Sequence, residues 1–148
     1  MTHETYRSHG VRFEYPAHWE LSEQRQNNEL SINVSSPETS FWSLTLLADG
    51  PAPEQVVASA VVAFEDEYPE LDIYESEVQI CDRRSVARDI EFVCLELVNS
   101  AFLRAFRLGE RSALVLYQGT DHELKETLET LEAISSSLHW EEDEAVFH

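Results

Sequence analysis

The segment Ala101–Tyr117, AFLRAFRLGERSALVLY, contains the strongest β-strand signal in the sequence. Two runs of strand length, Ala101–Leu108 and Arg111–Tyr117, are rich in Leu, Val and Phe. Between them, Leu108-Gly109-Glu110-Arg111 supplies a glycine where a tight hairpin turn needs one. Because strands joined by so short a turn pair antiparallel, this segment predicts the centre of an antiparallel sheet.

Further strand patterns lie on the N-terminal side of this hairpin. Alternating or continuous apolar runs bounded by Pro, Gly and polar residues predict strands at Val11–Tyr15, Leu30–Val34, Phe41–Leu47, Leu71–Ile80 and Ser85–Asn99, with a short return strand at Trp19–Glu23. Asp82-Arg83-Arg84 is interpreted as the turn between the last two of the long strands.

Two segments have helical periodicity instead. One begins at Pro53, a residue favoured in the first helical turn, and ends at Tyr68-Pro69. The other begins at Thr120, with Glu123 at capping-box spacing. Their apolar stripes are Val56, Val57, Ala60, Val61 and Phe64 in the first helix, and Leu124, Leu128, Leu131, Ile134 and Leu138 in the second.

This order of elements predicts an α+β fold. We expect an antiparallel β-sheet of about six to eight strands, with one helix after the third or fourth strand and a C-terminal helix. Each helix buries its apolar stripe against a sheet face, giving an α/β/α sandwich. Residues 1–140 are expected to form a single domain, and residues 141–148 an acidic, frayed tail.

The composition restricts the classes of partner. The 148 residues include 29 Asp+Glu and 10 Lys+Arg, a formal charge of −19. Such a chain repels phosphate and anionic headgroups, so we expect neither a nucleic-acid nor a membrane partner. The charge suits a solvated surface, a saline interior, or a docking face for a basic protein. No apolar run is long enough to span a bilayer and the N-terminal residues lack a secretory pattern, so a cytoplasmic location is expected.

No local motif carries catalytic, cofactor or metal chemistry. The four glycines are too far apart for a phosphate loop, and Cys81 and Cys94 lack zinc-ligand spacing. The six histidines have no nucleophile at local spacing. We therefore expect no cofactor, no metal and no enzyme activity. The alternative is a small-molecule-binding or hydrolytic protein with a pocket between sheet and helix.

A group of carboxylates near the end of the first helix is the best candidate site. Its members are Glu65, Asp66, Glu67, Glu70 and Asp72. The group lacks the regular spacing of a calcium loop, so a solvated helix end is favoured over a cation site. However, acids at the negative end of a helix dipole are unfavourable for stability, which suggests a protein-docking patch for a basic partner.

Two further features have alternative interpretations. Trp42 follows Phe41 in a predicted strand, so the two rings point to opposite faces. Trp42 is core if a helix covers its face, which is favoured, and an aromatic anchor for a partner if that face is open. Arg83, Arg84 and Arg88 form the one basic cluster, which is expected to balance nearby carboxylates.

The N-terminal stretch from Gly10 to Trp19, GVRFEYPAHW, resembles the opening of the PsbP-like family. Its sharpest motif is Tyr15-Pro16-x-x-Trp19, and the helix from Pro53 and the final helix ending at His139-Trp140 match the family's element order. The family includes a photosystem II subunit, the Ran guanine-nucleotide-release protein and small bacterial proteins, some of them chaperones for secreted toxins. The resemblance therefore implies a non-catalytic protein-binding or assembly/chaperone module.

Overall fold

A computed structural model describes residues 2–141 of the chain. The predicted acidic tail, residues 141–148, lies outside the described residues except for Glu141. The strands are β1 His3–Ser8, β2 Val11–Pro16, β3 Glu20–Gln26, β4 Glu29–Ser35, β5 Phe41–Leu47, β6 Leu71–Ile80, β7 Arg83–Cys94, β8 Leu97–Leu108, β9 Arg111–Thr120 and β10 His139–Trp140, and the helices are α1 Pro53–Glu67 and α2 Asp121–Ser136.

The described strands form two antiparallel sheets. The larger sheet has seven strands in the order β3-β4-β5-β9-β8-β7-β6, and the smaller has three in the order β1-β2-β10. The hairpin predicted around Gly109 joins β8 and β9 near the centre of the larger sheet. The predicted α+β fold with a six- to eight-stranded antiparallel sheet is therefore confirmed.

The larger sheet lies between two layers. Because side chains alternate along a strand, Leu114 and Leu116 of β9 face α1, whereas Val115 faces α2. On the α1 side, the buried core includes Val57, Leu103 and Ala105, and on the α2 side it includes Phe13, Trp42, Phe106, Leu131 and Ile134. The smaller sheet packs beside α2, which completes the predicted sandwich.

The two helices begin and end largely as predicted. Pro53 occupies the first turn of α1, and the helix ends at Glu67, with Tyr68 as its C-cap just before Pro69. In α2, the Thr120 hydroxyl accepts a hydrogen bond from the Glu123 N–H at 3.2 Å, which confirms the predicted N-cap. Within residues 2–141, neither helix has the length and apolar character needed to cross a bilayer.

The predicted position of the first helix was wrong by one or two strands. Helix α1 follows the fifth strand, not the third or fourth, because residues 3–8 form β1 and residues 20–26 a full strand β3. In β1 only Tyr6 is buried, so the sequence lacks the apolar alternation by which a strand is recognised. Its partner is β2, with which it pairs along its whole length.

Two predicted turns were also misplaced. The β6–β7 turn is Cys81-Asp82, so Arg83 and Arg84 belong to β7 instead of the turn. The β7–β8 turn is Leu95-Glu96. The predicted boundary between these two strands, near residue 100, was therefore wrong. All four turn residues have positive φ, between 53° and 58° except Glu96 at 65°. Non-glycine residues rarely adopt this conformation, so composition gave no signal for either turn.

Candidate functional site: an open sheet face beside the second helix

One face of the larger sheet is only partly covered. Helix α2 packs over β5, β8 and β9, and β6 and β7 extend beyond it. We name the α2-side surface of β6, β7 and β8 the open face. Its side chains are Asp72, Tyr74, Ser76 and Val78 on β6, Asp89, Glu91 and Val93 on β7, and Val98, Ser100, Phe102 and Arg104 on β8.

Strand register arranges the open face in rows. Tyr74 lies opposite Asp89, which lies opposite Phe102. At the outer end, Val93 lies opposite Val98, and both are solvent-exposed apolar residues. The exposed fractions of Tyr74 and Val98 are 50% and 46%. The row Asp72, Glu91 and Ser100 lies between Tyr74 and the Val93–Val98 pair, so the exposed apolar side chains of this surface alternate with polar ones.

The floor of the open face contains a partly buried ion pair on an aromatic platform. Arg104 is buried, and its Nη1 donates to Asp89 Oδ1 at 2.7 Å. The Phe102 and Tyr117 rings are stacked with centroids 4.9 Å apart, and the Arg104 guanidinium lies 5.8 and 5.9 Å from the two centroids. Burial raises the pKa of the Tyr117 hydroxyl, an effect that the nearby Arg104 partly opposes. The ion pair and the cation–π contacts hold the Arg104 guanidinium against the two rings.

A groove of about 550 Å³ runs between the end of α2 and the β6–β7 turn. Its apolar lining includes Val78, Ile80, Tyr117, Leu138 and Trp140. Two polar side chains at its border make internal contacts. The Ser135 hydroxyl accepts from the Trp42 indole N–H at 2.9 Å, and His139 Nδ1 lies 2.8 Å from the Ser137 carbonyl oxygen.

Like charges meet at the outer end of the open face. Asp72 of β6 lies directly opposite Glu91 of β7, a pairing that is unfavourable within a sheet. The charges of Glu91 and Asp72, together with a small burial effect, raise the pKa of the Tyr74 hydroxyl. This unfavourable pairing would be relieved by a cationic group bound above it.

The structure divides the predicted acidic docking patch. All five carboxylates, Glu65, Asp66, Glu67, Glu70 and Asp72, are exposed. The first three lie in the last turn of α1, in the layer on the other side of the sheet, whereas Asp72 belongs to the open face. Over residues 2–141, no three His, Cys, Asp or Glu side chains are grouped so that they could hold a metal ion.

Trp42 is not a surface anchor. The residue is fully buried, and its ring lies 4.7 Å from that of Phe13 between centroids. The anchor interpretation is wrong because α2 and the smaller sheet cover this face, as the favoured core interpretation required. Tyr74, which the sequence did not single out, is an exposed aromatic residue on this sheet: it is 50% exposed, in a strand whose side chains are partly open on both faces.

The basic cluster pairs with carboxylates, as predicted. Arg84 Nη2 lies 3.5 Å from Glu77 Oε2, and Arg88 Nη2 lies 3.7 Å from Glu75 Oε1. Arg83 instead stacks on Trp140, with its guanidinium carbon 4.8 Å from the ring centroid.

Glu123 has a structural role that its capping position did not reveal. Its buried carboxylate turns away from α2 and accepts hydrogen bonds from the β4–β5 loop. The donors are the N–H of Thr39 at 3.1 Å, the N–H of Ser40 at 3.1 Å, the hydroxyl of Ser36 at 3.0 Å, and the hydroxyl of Thr39. Burial alone would raise the pKa of Glu123, but these donors outweigh it and hold the pKa below its ordinary value.

The element order and the two sheets define an α+β fold that other solved structures share. The chain is similar to LpqN of Mycobacterium tuberculosis, described as involved in cell envelope biogenesis, with 11% identity and a TM-score of 0.59 over 93% of this chain and 90% of that chain. It is also similar to a Mog1 E65A mutant, with 10% identity and a TM-score of 0.58 over 95% of this chain and 96% of that chain.

A third similar structure is PA94 of Pseudomonas aeruginosa, described as a protein of unknown function and putative regulator. It shows 15% identity and a TM-score of 0.53 over 91% of this chain and 94% of that chain. No family model matches the chain, and no curated protein matches it by sequence. The similarities show a shared Mog1/PsbP-type fold, which supports the sequence resemblance at the level of the fold.

Proposed function

We propose that this protein is a non-catalytic protein-binding module that docks its partner on the open face. The observation that carries the proposal is that the apolar side chains of Tyr74, Val93 and Val98 remain exposed on the α2 side of β6, β7 and β8. Burying such side chains against a partner is the main favourable term in protein association.

The expected partner is a basic protein in the cytoplasm. With a formal charge of −19, the chain attracts basic surfaces over several ångströms before contact. Glu65, Asp66 and Glu67 contribute to this attraction from α1, whereas Asp72 and Glu91 act at the docking surface itself. Electrostatic attraction of this kind raises the association rate and selects the partner more than it sets affinity.

A photo-crosslinking experiment tests the proposal. A benzophenone amino acid is placed at Val98 on the open face and, as a matched control, at Val62, which is 51% exposed on α1. Each protein is irradiated in lysate of the source cell. We expect a protein adduct at position 98 that is absent at position 62 and is reduced by high salt. Adducts that are equal at both positions, or absent at position 98, would refute docking on the open face.

The groove supports a second candidate function, the binding of a small molecule. Its volume of about 550 Å³ falls within the range of small-molecule sites, and its lining is partly aromatic. Native mass spectrometry of the protein purified from its source cell distinguishes the two functions. A bound species of constant small mass that is lost when Val78→Trp fills the groove would favour this second function.

A further inference from the structure

The edge of the larger sheet at β6 provides a second feature of the docking surface. Strand β6 is the last in the strand order, and it pairs with β7 from Leu71 to Ile80 in one continuous register without a bulge. Over residues 2–141 no strand pairs with its outer side. A long, regular edge without proline is a template for adding another strand.

The register identifies the main-chain groups that point outward. The two-residue turn Cys81-Asp82 makes Ile80–Arg83 a hydrogen-bonded pair, and hydrogen-bonded pairs then alternate along an antiparallel ladder. The hydrogen bond from the Val93 N–H to the Glu70 carbonyl oxygen, at 3.2 Å, agrees with this alternation, because Glu70 and Val93 would be the next hydrogen-bonded pair beyond Asp72 and Glu91. The N–H and C=O groups that face away from β7 are therefore those of Leu71, Ile73, Glu75, Glu77 and Gln79.

The side chains along this edge select the added strand by charge. Glu75 and Glu77 each contact an arginine of β7, yet their side chains remain 82% and 77% exposed. A second copy of this chain added at the edge would place the glutamates of the two copies near one another, which is unfavourable. A basic strand would bring cations to the same carboxylates.

We infer that β6 accepts an extended, basic segment of the partner as an additional antiparallel strand, an inference that rests on the proposed protein-binding function. Alternate side chains of that segment are basic, opposite Glu75 and Glu77 on the α1 side. The intervening side chains are apolar and lie beside Tyr74 and Val78 at the margin of the open face. Main-chain hydrogen bonds supply affinity, and the glutamates supply selectivity.

Amide exchange of the full-length protein tests the inference directly. The probe is the acetylated, amidated peptide Arg-Val-Arg-Val-Arg-Val-Arg, compared with its Glu-Val counterpart and with a copy whose arginine main-chain nitrogens are methylated. We expect the Arg-Val peptide alone to slow exchange of the Ile73, Glu75 and Glu77 amides by roughly tenfold or more, since those N–H groups gain partners. No slowing at these amides, or equal slowing by the methylated peptide, would overturn the inference.

Matched proline variants give a second readout. Glu75→Pro removes an outward N–H and blocks the β6 edge, and Glu75→Gln removes the charge alone. Arg25→Pro makes the same change on β3, the opposite edge of the sheet. Loss of one main-chain hydrogen bond is expected to weaken peptide affinity by up to roughly tenfold for Glu75→Pro. Arg25→Pro is expected to leave affinity unchanged, and an equal loss in both proline variants would overturn the inference.

The crosslinking result separates this inference from the proposed function. If a partner is crosslinked at position 98 but the three outward amides never gain protection, strand addition is wrong and docking on the open face stands. If position 98 gives no adduct, the proposed function itself is wrong.

Discussion

The substitution Glu123→Gln tests the buried carboxylate that joins α2 to the β4–β5 loop. The side chain keeps its size but exchanges one acceptor oxygen for an N–H₂ donor, which then faces donors of Ser36, Thr39 or Ser40. Hydrogen bonds to a charged group contribute about 1.5–3 kcal/mol, and a buried donor left without an acceptor costs about 1–3 kcal/mol. We expect the free energy of unfolding at pH 7 to fall by about 2–3 kcal/mol.

The loss of stability caused by Glu123→Gln must be largest at neutral pH and must decrease in acid. The folded state lowers the pKa of Glu123 below its ordinary value of 4.5, so the stabilisation is complete above that value. It is lost as the pH falls through the pKa of the folded state, because the proton then removes the charge that the loop donors bind. The difference in stability between wild type and Glu123→Gln should therefore narrow as the pH is lowered below 4.5.

Urea unfolding followed by tryptophan fluorescence measures this difference at each pH. Glu126→Gln is the matched control, since Glu126 is an exposed residue of the same helix, and it should change stability by less than about 0.5 kcal/mol. If Glu123→Gln costs no more than the control, or if its cost does not diminish in acid, the loop is not held by this carboxylate and the reasoning is refuted.

Three further substitutions follow from the same structure. Glu67→Lys should raise the free energy of unfolding by about 0.3–1 kcal/mol at low salt, and less at 1 M salt, because it places a cation at the C-terminal end of α1. Gly109→Ala should lower stability by about 1–3 kcal/mol, since φ is +66° and the new Cβ would lie 2.7 Å from the Trp140 ring. Trp42→Phe removes the bond to Ser135 and leaves a void, at a cost of about 1–3 kcal/mol. Denaturant unfolding measures all three, and a change of the opposite sign would contradict the respective assignment.

The core of the fold was predictable because its signals are local. The hairpin around Gly109 and the apolar stripes of the two helices each lie within one continuous segment. The N-cap at Thr120 was likewise recognisable from residues three positions apart. Packing the two stripes against a sheet then follows from the need to bury them.

Strand β1 and two turns could not be predicted, for physical reasons specific to each. Strand β1 gains its stability from pairing with β2 and from the burial of Tyr6 alone, so its own sequence has no alternation. The turns Cys81-Asp82 and Leu95-Glu96 adopt positive φ without glycine or asparagine. Such turns depend on the pairing of the strands that they join, not on their own composition.

The candidate site depends on contacts that sequence spacing does not encode. The open face exists because α2 covers β5, β9 and part of β8 and does not extend over β6 and β7, which is a property of the assembled layers. The contact between Glu123 and Ser36 likewise joins residues 87 positions apart. The acidic patch was recognisable as composition, but its division between α1 and the open face was not.

The affinity of the partner crosslinked at position 98 gives the most direct test of the central claim, that the open face is the docking surface. Val98→Asp and the matched control Val62→Asp each add one charge at an exposed valine. We expect Val98→Asp to weaken the affinity at least roughly tenfold, since it places a charge inside the interface, and Val62→Asp to leave it unchanged. Equal affinities for the two variants, or a loss confined to Val62→Asp, would contradict the claim.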